Sequence, residues 1–239
     1  MTGKLRQFFR QCVGILLGLL LGMMLLALLI ASVPAFRDIV VRSWLRPQLV
    51  GWYNHIRPRL NMRNNDWCMQ KLANTGAQFA PVPDAVETAG GCTLDHVVCM
   101  LQSYIPYNRQ ALMTCALATA MYAFEKKIVQ PQANKYFNQP VVKILHVGTY
   151  NCRPMRGSTA LLSEHAYANA VDITGFQLED GTVVSIKRDW NDSGNAGQFL
   201  HAVAKKACGH FRKVLTPNYN ALHHDHFHLD QGLMKRCGY

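Results

Sequence analysis

The sequence predicts an α+β domain, a mainly antiparallel sheet with flanking helices, preceded by one transmembrane helix. Two observations lead to this prediction. After residue 66, segments of helical character lie before and between segments of strand character, and the turn Glu179-Asp180-Gly181 joins two such strands as a hairpin. Residues 13–33, by contrast, carry no charge, and roughly 20 apolar residues are enough to cross a bilayer. The chain therefore divides into an N-terminal segment and one globular domain.

The apolar run is predicted to be a membrane anchor, with residues 1–12 as a cytoplasmic N-terminus. Three basic residues precede the run, as expected for an end that stays in the cytoplasm. A cleaved signal peptide is the alternative, because Val33-Pro34-Ala35 resembles a small-residue cleavage site. The apolar part of a signal peptide spans about 7–15 residues, which is shorter than this run. We therefore expect an uncleaved anchor.

The positive charge is concentrated beside this anchor. The net charge of the chain is +11, of which residues 1–63 contribute +8 and the remainder +3. Residues 34–66 interleave arginines with Trp44, Trp52 and Tyr53, a mixture that suits anionic lipid at a membrane surface; a solvated linker is the alternative. Because the domain at residues 67–239 is only mildly basic, the sequence does not predict nucleic-acid binding.

The cysteine pattern indicates an oxidising compartment. Cys12 adjoins the apolar run, and the other seven cysteines are scattered singly through the domain without a CxxC pair. That spacing argues against a thiolate zinc ribbon or a thioredoxin-type site and favours structural disulfides. With Cys99 left over, six cysteines allow fifteen connectivities, of which we predict Cys68–Cys92, Cys115–Cys152 and Cys208–Cys237.

The elements of the domain follow from local patterns. Residues 66–94 are rich in glycine, proline and alanine, which predicts a loop with short helical pieces. Residues 109–129 have apolar side chains at helical spacing, and residues 141–147 are rich in β-branched side chains, as in a buried strand. The remaining predictions are hairpin strands at 170–177 and 182–186, a helix at 197–208, and short strands at 211–215 and 226–229.

Two stretches carry the chemistry: SEHAYANAVD at residues 163–172 and HHDHFH at residues 223–228. On a strand His226 and His228 project from one face, while Phe227 and Leu229 face the core. His165, Asp172 and one of these histidines would complete a zinc site that keeps an open position. His224 has the same parity, so the ligand pair stays open at this point. An adventitious metal-binding surface is the alternative for the histidine tract.

The two motifs resemble known zinc enzymes. The pattern Ser163-x-His165-x-x-Ala168-x-Ala170-x-Asp172, followed by His226-x-His228, is similar to the SxHxxGxAxD…HxH signature of zinc D-alanyl-D-alanine metallopeptidases, which share a fold with hedgehog domains. The stretches SEHAYANAVDI, KRDW and HHDHFHLD more closely resemble the extensin-like C-terminal family of bacterial envelope proteins, over about residues 67–239. Ala168 stands where the metallopeptidases usually have glycine, which puts substrate fit in doubt more than metal binding.

The resemblance implies a role for each site residue. His165, Asp172 and His228 would be the zinc ligands, and His226 the acid/base or oxyanion partner. Such peptidases also use an upstream arginine to stabilise charge on the scissile carbonyl, for which we select Arg153, with Arg156 second. A structural pairing of Arg153 with Asp189 or a terminal carboxylate is the alternative. The residues expected to orient the histidine rings from behind are Ser163, Glu164, Asp189 and Asp225.

Two functions compete at this stage. The first is a membrane-anchored zinc peptidase in the bacterial periplasm that hydrolyses amide bonds of peptidoglycan stem peptides or cross-links. The second is a zinc-containing module that binds cell wall or an envelope protein without turnover. The sequence does not distinguish D,D- from L,D-bonds or exo- from endo-cleavage.

Overall fold

The computed structural model forms two compact units, residues 1–53 and residues 54–239. It describes residues 10, 13–25, 28, 48, 49, 52, 65–84, 86–87, 92–158 and 161–238. Residues 13–25 are helical. Within the described part of the chain, no helix combines the length and apolar character needed to cross a membrane. Residues 26–27 and 29–33 of the predicted anchor, and most of the N-terminus and of the basic linker, fall outside the described residues, so all three stay predictions.

The second unit is a mixed α+β domain, as predicted. Its helices are α1 (Asn65–Ala73), α2 (Cys115–Phe124), α3 (Gln130–Phe137), α4 (Ile186–Asp189) and α5 (Asn195–Ala207), with a π-helical turn at Glu125–Val129 and 3₁₀ turns at Glu164–Tyr167 and Ala221–His223. Its strands are β1 (Gln78–Pro81), β2 (Val86–Glu87), β3 (Thr93–Leu94), β4 (Val97–Gln102), β5 (Ala111–Thr114), β6 (Val141–Gly148), β7 (Ala170–Leu178), β8 (Val183–Ser185), β9 (Lys213–Leu215), β10 (Phe227–Asp230) and β11 (Arg236–Gly238).

The largest sheet has the strand order β11-β9-β10-β7-β6, and β8 pairs with the second half of β7. Every pair is antiparallel except β11 with β9, which confirms the predicted mainly antiparallel sheet. The β7–β8 hairpin turns at the predicted place, where Gly181 has a φ of +87° that favours glycine. Smaller sheets, β1-β4-β5 and β2-β3, complete the described strands.

One face of the large sheet packs on the helices and leaves the other face free for polar groups. Ile173 of β7 and Phe227 of β10 are fully buried. Phe176 is also fully buried, because a register shift between β7 and β6 lies between it and Ile173, and Phe199 of α5 meets it edge-to-face with ring centroids 5.3 Å apart. Because side chains alternate along a strand, Asp172 and His228 project from the opposite face. This is the alternation predicted around Phe227.

The predicted helix at residues 109–129 is wrong at its start. Residues 111–114 form β5, which pairs antiparallel with β4, and α2 begins only at Cys115. Thr114 caps the helix, since its hydroxyl accepts a hydrogen bond from the Leu117 amide at 3.3 Å. Three apolar residues followed by Thr114 fit either periodicity, so the pairing of residues 111–114 with β4, which the sequence analysis did not predict, decides the structure.

A buried carboxylate lies at the π-helical turn. Glu125 is fully buried and accepts hydrogen bonds from the Ser103 hydroxyl (2.6 Å), the Ile105 amide (2.9 Å) and the Tyr107 hydroxyl (2.6 Å). Burial raises the pKa of Glu125 to about 7, although these hydrogen bonds act in the other direction. The neutral form is therefore favoured in the folded domain below pH 7.

Glu125 should make the domain less stable as the pH rises. Its pKa is about 7 when folded against 4.5 for an unperturbed glutamate, so its contribution is complete below pH 4.5 and is lost as the pH rises through 7. At about 1.4 kcal/mol per pKa unit, the loss between pH 4.5 and 8 is about 3 kcal/mol. Urea unfolding at several pH values should show a flatter profile for Glu125→Gln than for the wild type. Equal slopes for the two proteins would contradict the assignment.

The disulfides correct part of the predicted connectivity. The bonds are Cys68–Cys115, Cys92–Cys152 and Cys208–Cys237, and Cys99 is free and buried. The Cys208–Cys237 pair and the unpaired Cys99 are confirmed; the pairs Cys68–Cys92 and Cys115–Cys152 are wrong. Packing of α1 on α2 brings Cys68 to a Cα–Cα distance of 6.1 Å from Cys115, which order along the chain does not reveal.

Removing the Cys92–Cys152 bond should strongly destabilise the domain. The bond closes a separation of 60 residues, and the chain-entropy relation gives about 4 kcal/mol for a loop of that length. We expect this loss in urea unfolding of the Cys92→Ser, Cys152→Ser double variant. Cys99→Ser is the control, because it removes a buried thiol without opening a cross-link, and it should cost less than about 1 kcal/mol. A double variant as stable as this control would overturn the prediction.

Candidate metal centre

Three neighbouring elements bring His165, Asp172 and His228 together. His165 lies on the 3₁₀ turn Glu164–Tyr167, Asp172 on β7 and His228 on β10. The β7–β10 register places Asp172 directly opposite His228, and Gly148 of β6 lies opposite Asp172 on its other side. Strand pairing therefore fixes two of the three groups, and the turn before β7 supplies the third.

The turn that carries His165 is held at both ends. The Ser163 hydroxyl accepts a hydrogen bond from the His165 amide at 3.3 Å and caps the turn. Ala168 ends it with a φ of +52°, a left-handed conformation that costs an ordinary L-residue roughly 1–2 kcal/mol. The Ala168 methyl is fully buried against Leu94 and Val97. The chain thus makes with alanine the turn for which the metallopeptidase pattern uses glycine.

The spacing of the three donor groups suits a small cation. His165 Nε2 lies 3.2 Å from Asp172 Oδ2 and 3.2 Å from His228 Nδ1, and His228 Nδ1 lies 2.9 Å from Asp172 Oδ1. A tetrahedral zinc with bonds of about 2.0–2.1 Å separates its ligand atoms by about 3.3 Å. Slight opening of the cluster would accommodate the ion.

The partners behind the rings accept hydrogen bonds from the ring nitrogens that point away from the centre. His165 Nδ1 donates to the Thr149 carbonyl at 3.3 Å, which leaves a lone pair on Nε2. His228 Nε2 donates to Asp230 Oδ2 at 3.1 Å, which leaves Nδ1 for the centre. In neutral rings, both remaining lone pairs and the Asp172 carboxylate then converge on one point. A cation at that point would offset the mutual repulsion of these electron pairs, so the donor set fits zinc. Asp230 would then be the carboxylate behind a ligating histidine.

The pKa directions show how strongly these groups are coupled. Burial alone would raise the pKa of Asp172, but hydrogen bonds from His165 and His228 hold it far below its usual range. Burial alone would lower the pKa of His228, but hydrogen bonds to Asp172 and Asp230 raise it to about 9. Without a cation, protons on the histidine rings therefore supply the positive charge beside the Asp172 carboxylate. A metal ion must displace these protons when it binds.

His226 faces the same centre without belonging to the donor set. Its Nδ1 donates to Asp225 Oδ1 at 2.8 Å, and its Nε2 lies 3.7 Å from Asp172 Oδ1. Asp225 therefore orients a ring nitrogen toward the centre, as predicted for an orienting carboxylate. His224 is the exposed one of the alternating histidines, with 60% of its side chain accessible, and it lies outside the cluster.

A cleft of about 800 Å³ opens over this centre and is lined by several cationic side chains. The two arginines considered from the sequence, Arg153 and Arg156, both line it, so the structure does not choose between them. Arg153 donates to the Pro154 carbonyl at 3.1 Å. The other cations along the cleft are Lys213, which pairs with Asp230 at 3.3 Å, Lys235 and Arg236. The cleft therefore suits a substrate with carboxylate or polarised carbonyl groups.

Two predicted orienting residues take other positions. Glu164 lines the cleft, and its carboxylate accepts from the Asn169 side chain at 2.8 Å. Asp189 is not among the residues that line the cleft. It accepts from the Ser185 amide at 2.8 Å and pairs with Arg188 at 2.7 Å, because its carboxylate folds back on the start of its own short helix α4. Arg188, not Arg153, is therefore its cationic partner.

Sequence reasoning missed His223, Asp230 and Thr149. Asp230 shares the parity of His226 and His228, and that pattern in HFHLD could have revealed it. His223 lines the cleft, and its Nδ1 donates to Asn220 Oδ1 at 2.7 Å, an oxygen that also accepts from the Leu222 amide. Burial and the neighbouring His228 and His226 lower the pKa of His223 to about 4, which keeps a free lone pair on its Nε2. Thr149 acts through its carbonyl, which leaves no side-chain signal.

Comparison with known families adds a further finding. A family model described as the extensin-like protein C-terminus matches residues 66–238. The chain belongs to this family. The matched range covers the whole extensin-like domain from α1 to β11, including all three donor residues and all three disulfides. No curated protein and no solved structure was found to be similar.

Proposed function

We propose that this extensin-like protein is a zinc-dependent peptidase of the bacterial cell envelope that hydrolyses amide bonds in peptidoglycan stem peptides or cross-links. The observation that carries the proposal is the convergence of one metal-ligating atom each from His165, Asp172 and His228, with a fourth oriented residue, His226, beside them. Three donors leave an open position, which is typical of catalytic rather than structural zinc sites.

The proposed compartment is the periplasm, with the chain anchored in the inner membrane. Three disulfides in one domain are typical of an oxidising environment. The apolar residues 13–33 support an anchor, and the arginines after them support contact with anionic lipid. Peptidoglycan is then an amide-rich polymer within reach. The sequence resemblance to zinc D-alanyl-D-alanine metallopeptidases also supports a related fold and this substrate class.

Each residue of the cleft would have a distinct part in hydrolysis. Zinc, when bound, would polarise the scissile carbonyl and activate water. His226 would transfer a proton between the attacking water and the leaving amine, because Asp225 holds its Nδ1 and leaves Nε2 facing the centre. Arg153 or Arg156 would stabilise negative charge on the carbonyl oxygen from the edge of the cleft. Asp230 and the Thr149 carbonyl would keep the ligand rings in place.

Digestion of purified sacculi tests this proposal. The fragment 54–239, a compact unit with its own core, is loaded with zinc and incubated with sacculi; a chelator-treated sample is the control. We expect new peptide ends in the released or residual muropeptides, detected by mass spectrometry, only in the zinc-loaded sample. Their identity would also define the bond and distinguish exo- from endo-cleavage. Zinc bound at one equivalent without any product, together with retained binding to sacculi, would instead support the non-catalytic binding module.

A further inference from the structure

A second groove of about 710 Å³ lies along α1 and α2 and shares no lining residue with the metal cleft. Its floor consists of small side chains of α2, including Ala116, Ala120 and Ala123, and of the Cys68–Cys115 disulfide. Alanines at these spacings leave a shallow apolar trough where larger residues would fill the space. We call this feature the lysine groove, after Lys71, Lys126 and Lys127, which line it.

Cations and exposed aromatic rings alternate around the lysine groove. Lys71 Nζ lies 4.8 Å from the ring centre of Trp67, and Lys126 Nζ lies 5.8 Å from that of Tyr104. Trp67 is 61% exposed and Tyr104 43% exposed. Tyr104 in turn packs edge-to-face on Tyr122, which lines the groove. A large indole that is exposed to water beside the Lys71 ammonium group has no role in the core.

The charge at the groove lacks compensation within the described part of the domain. All three lysines are exposed, and none forms an ion pair with another described residue. Among the described residues that line the groove, Asp95 is the one carboxylate. The surface therefore favours an anionic partner with an apolar portion over a neutral one.

We propose that the lysine groove docks the domain on an anionic phospholipid surface. Lipid phosphates would meet the three ammonium groups, and Trp67 would lie at the headgroup level, where indole rings with one polar end are favoured. Each lysine near an anionic membrane contributes about 1 kcal/mol to binding, so the three lysines together would raise vesicle affinity roughly 100-fold above the contribution of Trp67. The groove begins on α1, which follows the arginine-rich residues 34–63 directly in the chain. Docking of the domain itself does not depend on peptidase activity.

Tryptophan fluorescence offers a direct test with the fragment 54–239. This fragment keeps only Trp67 and Trp190, and Trp190 is 3% exposed, so a brominated lipid should quench Trp67 selectively. Vesicles of phosphatidylglycerol mixed with phosphatidylcholine serve as the probe. We expect the triple variant Lys71→Glu, Lys126→Glu, Lys127→Glu to bind these vesicles at least about 100-fold more weakly, because it loses the electrostatic contribution of three lysines. The matched control, Lys187→Glu, Lys205→Glu, Lys206→Glu, reverses three exposed lysines elsewhere and should weaken it far less.

Equal weakening by both triple variants would overturn the proposal, because binding would then follow net charge alone. Equal quenching by pure phosphatidylcholine vesicles would also overturn it. Sacculi that co-sediment in a lysine-groove-dependent way, without vesicle binding, would assign the groove to cell wall instead. Circular dichroism checks that each variant folds, and a triple Lys→Gln variant replaces the charge-reversed one if that protein does not fold.

Discussion

Asp172→Asn should abolish stoichiometric zinc binding by the domain. The side chain lies between both histidine donors, within 3.2 Å of His165 Nε2 and 2.9 Å of His228 Nδ1, and supplies the only formal negative charge among the three. Loss of a partner that merely orients a ligand costs about 10–100-fold in affinity, so loss of the ligand itself should exceed roughly 1,000-fold. Competition with a chromophoric chelator measures the affinity, and elemental analysis measures the stoichiometry.

Two further carboxylates make this prediction specific. Asp230→Asn replaces the carboxylate behind His228 with a neutral amide and should weaken zinc binding about 10–100-fold without abolishing it. Asp189→Asn alters a carboxylate that pairs with Arg188 outside the cleft and should leave the affinity unchanged. If Asp172→Asn retained one zinc at wild-type affinity, the assigned donor set would be wrong.

His226→Ala should remove peptidase activity while zinc remains bound. The ring lies beside the centre, but its Nδ1 is engaged by Asp225, and it is outside the donor set. A positioned general acid or base contributes about 10²–10⁴-fold to rate, and we expect a loss in that range. The rate of muropeptide release and the zinc content of the same sample provide the two readouts.

His224→Ala is the matched control for this variant. His224 is exposed, donates to the Ala221 carbonyl at 2.9 Å and lies 3.7 Å from Asp225, so its loss should leave the rate within about twofold, consistent with a surface substitution. A His226→Ala protein that cleaves as fast as the wild type would show that His226 has no catalytic role. The next candidate would then be His223, whose free Nε2 faces the same cleft.

Local sequence patterns correctly predicted the strands and the helix whose hydrophobic pattern extends over many residues or ends at a recognisable turn. The observed β6, the β7–β8 hairpin and α5 each lie within two residues of the predicted ranges. The strands in residues 78–102 could not be predicted from local patterns, because β1 and β4 are defined by the pairing of β4 with β1 on one side and with β5 on the other. The same pairing converted residues 111–114 from predicted helix into strand.

The site was predictable where the backbone fixes side-chain direction, and not elsewhere. Strand alternation around Phe227 is enough to put His226, one residue before β10, on one face with His228, and the register of β10 then sets Asp172 opposite His228. The carbonyl of Thr149, which holds the His165 ring, has no sequence signature. Asp189 forms its ion pair with the adjacent Arg188 and not with a residue of the cleft. Disulfide partners likewise depend on how helices pack, which residue spacing does not encode.

The position of β10 has a consequence for the timing of synthesis. His165 and Asp172 are seven residues apart, but His228 follows Asp172 by 56 residues. A nascent chain that has emerged only through β7 holds two donors, and the third arrives when β10 adds to the sheet in register. The proposed metal centre would therefore be complete only after residue 228 has been synthesised and β10 has joined the sheet. Under the proposed function, hydrolytic activity would begin only after that point.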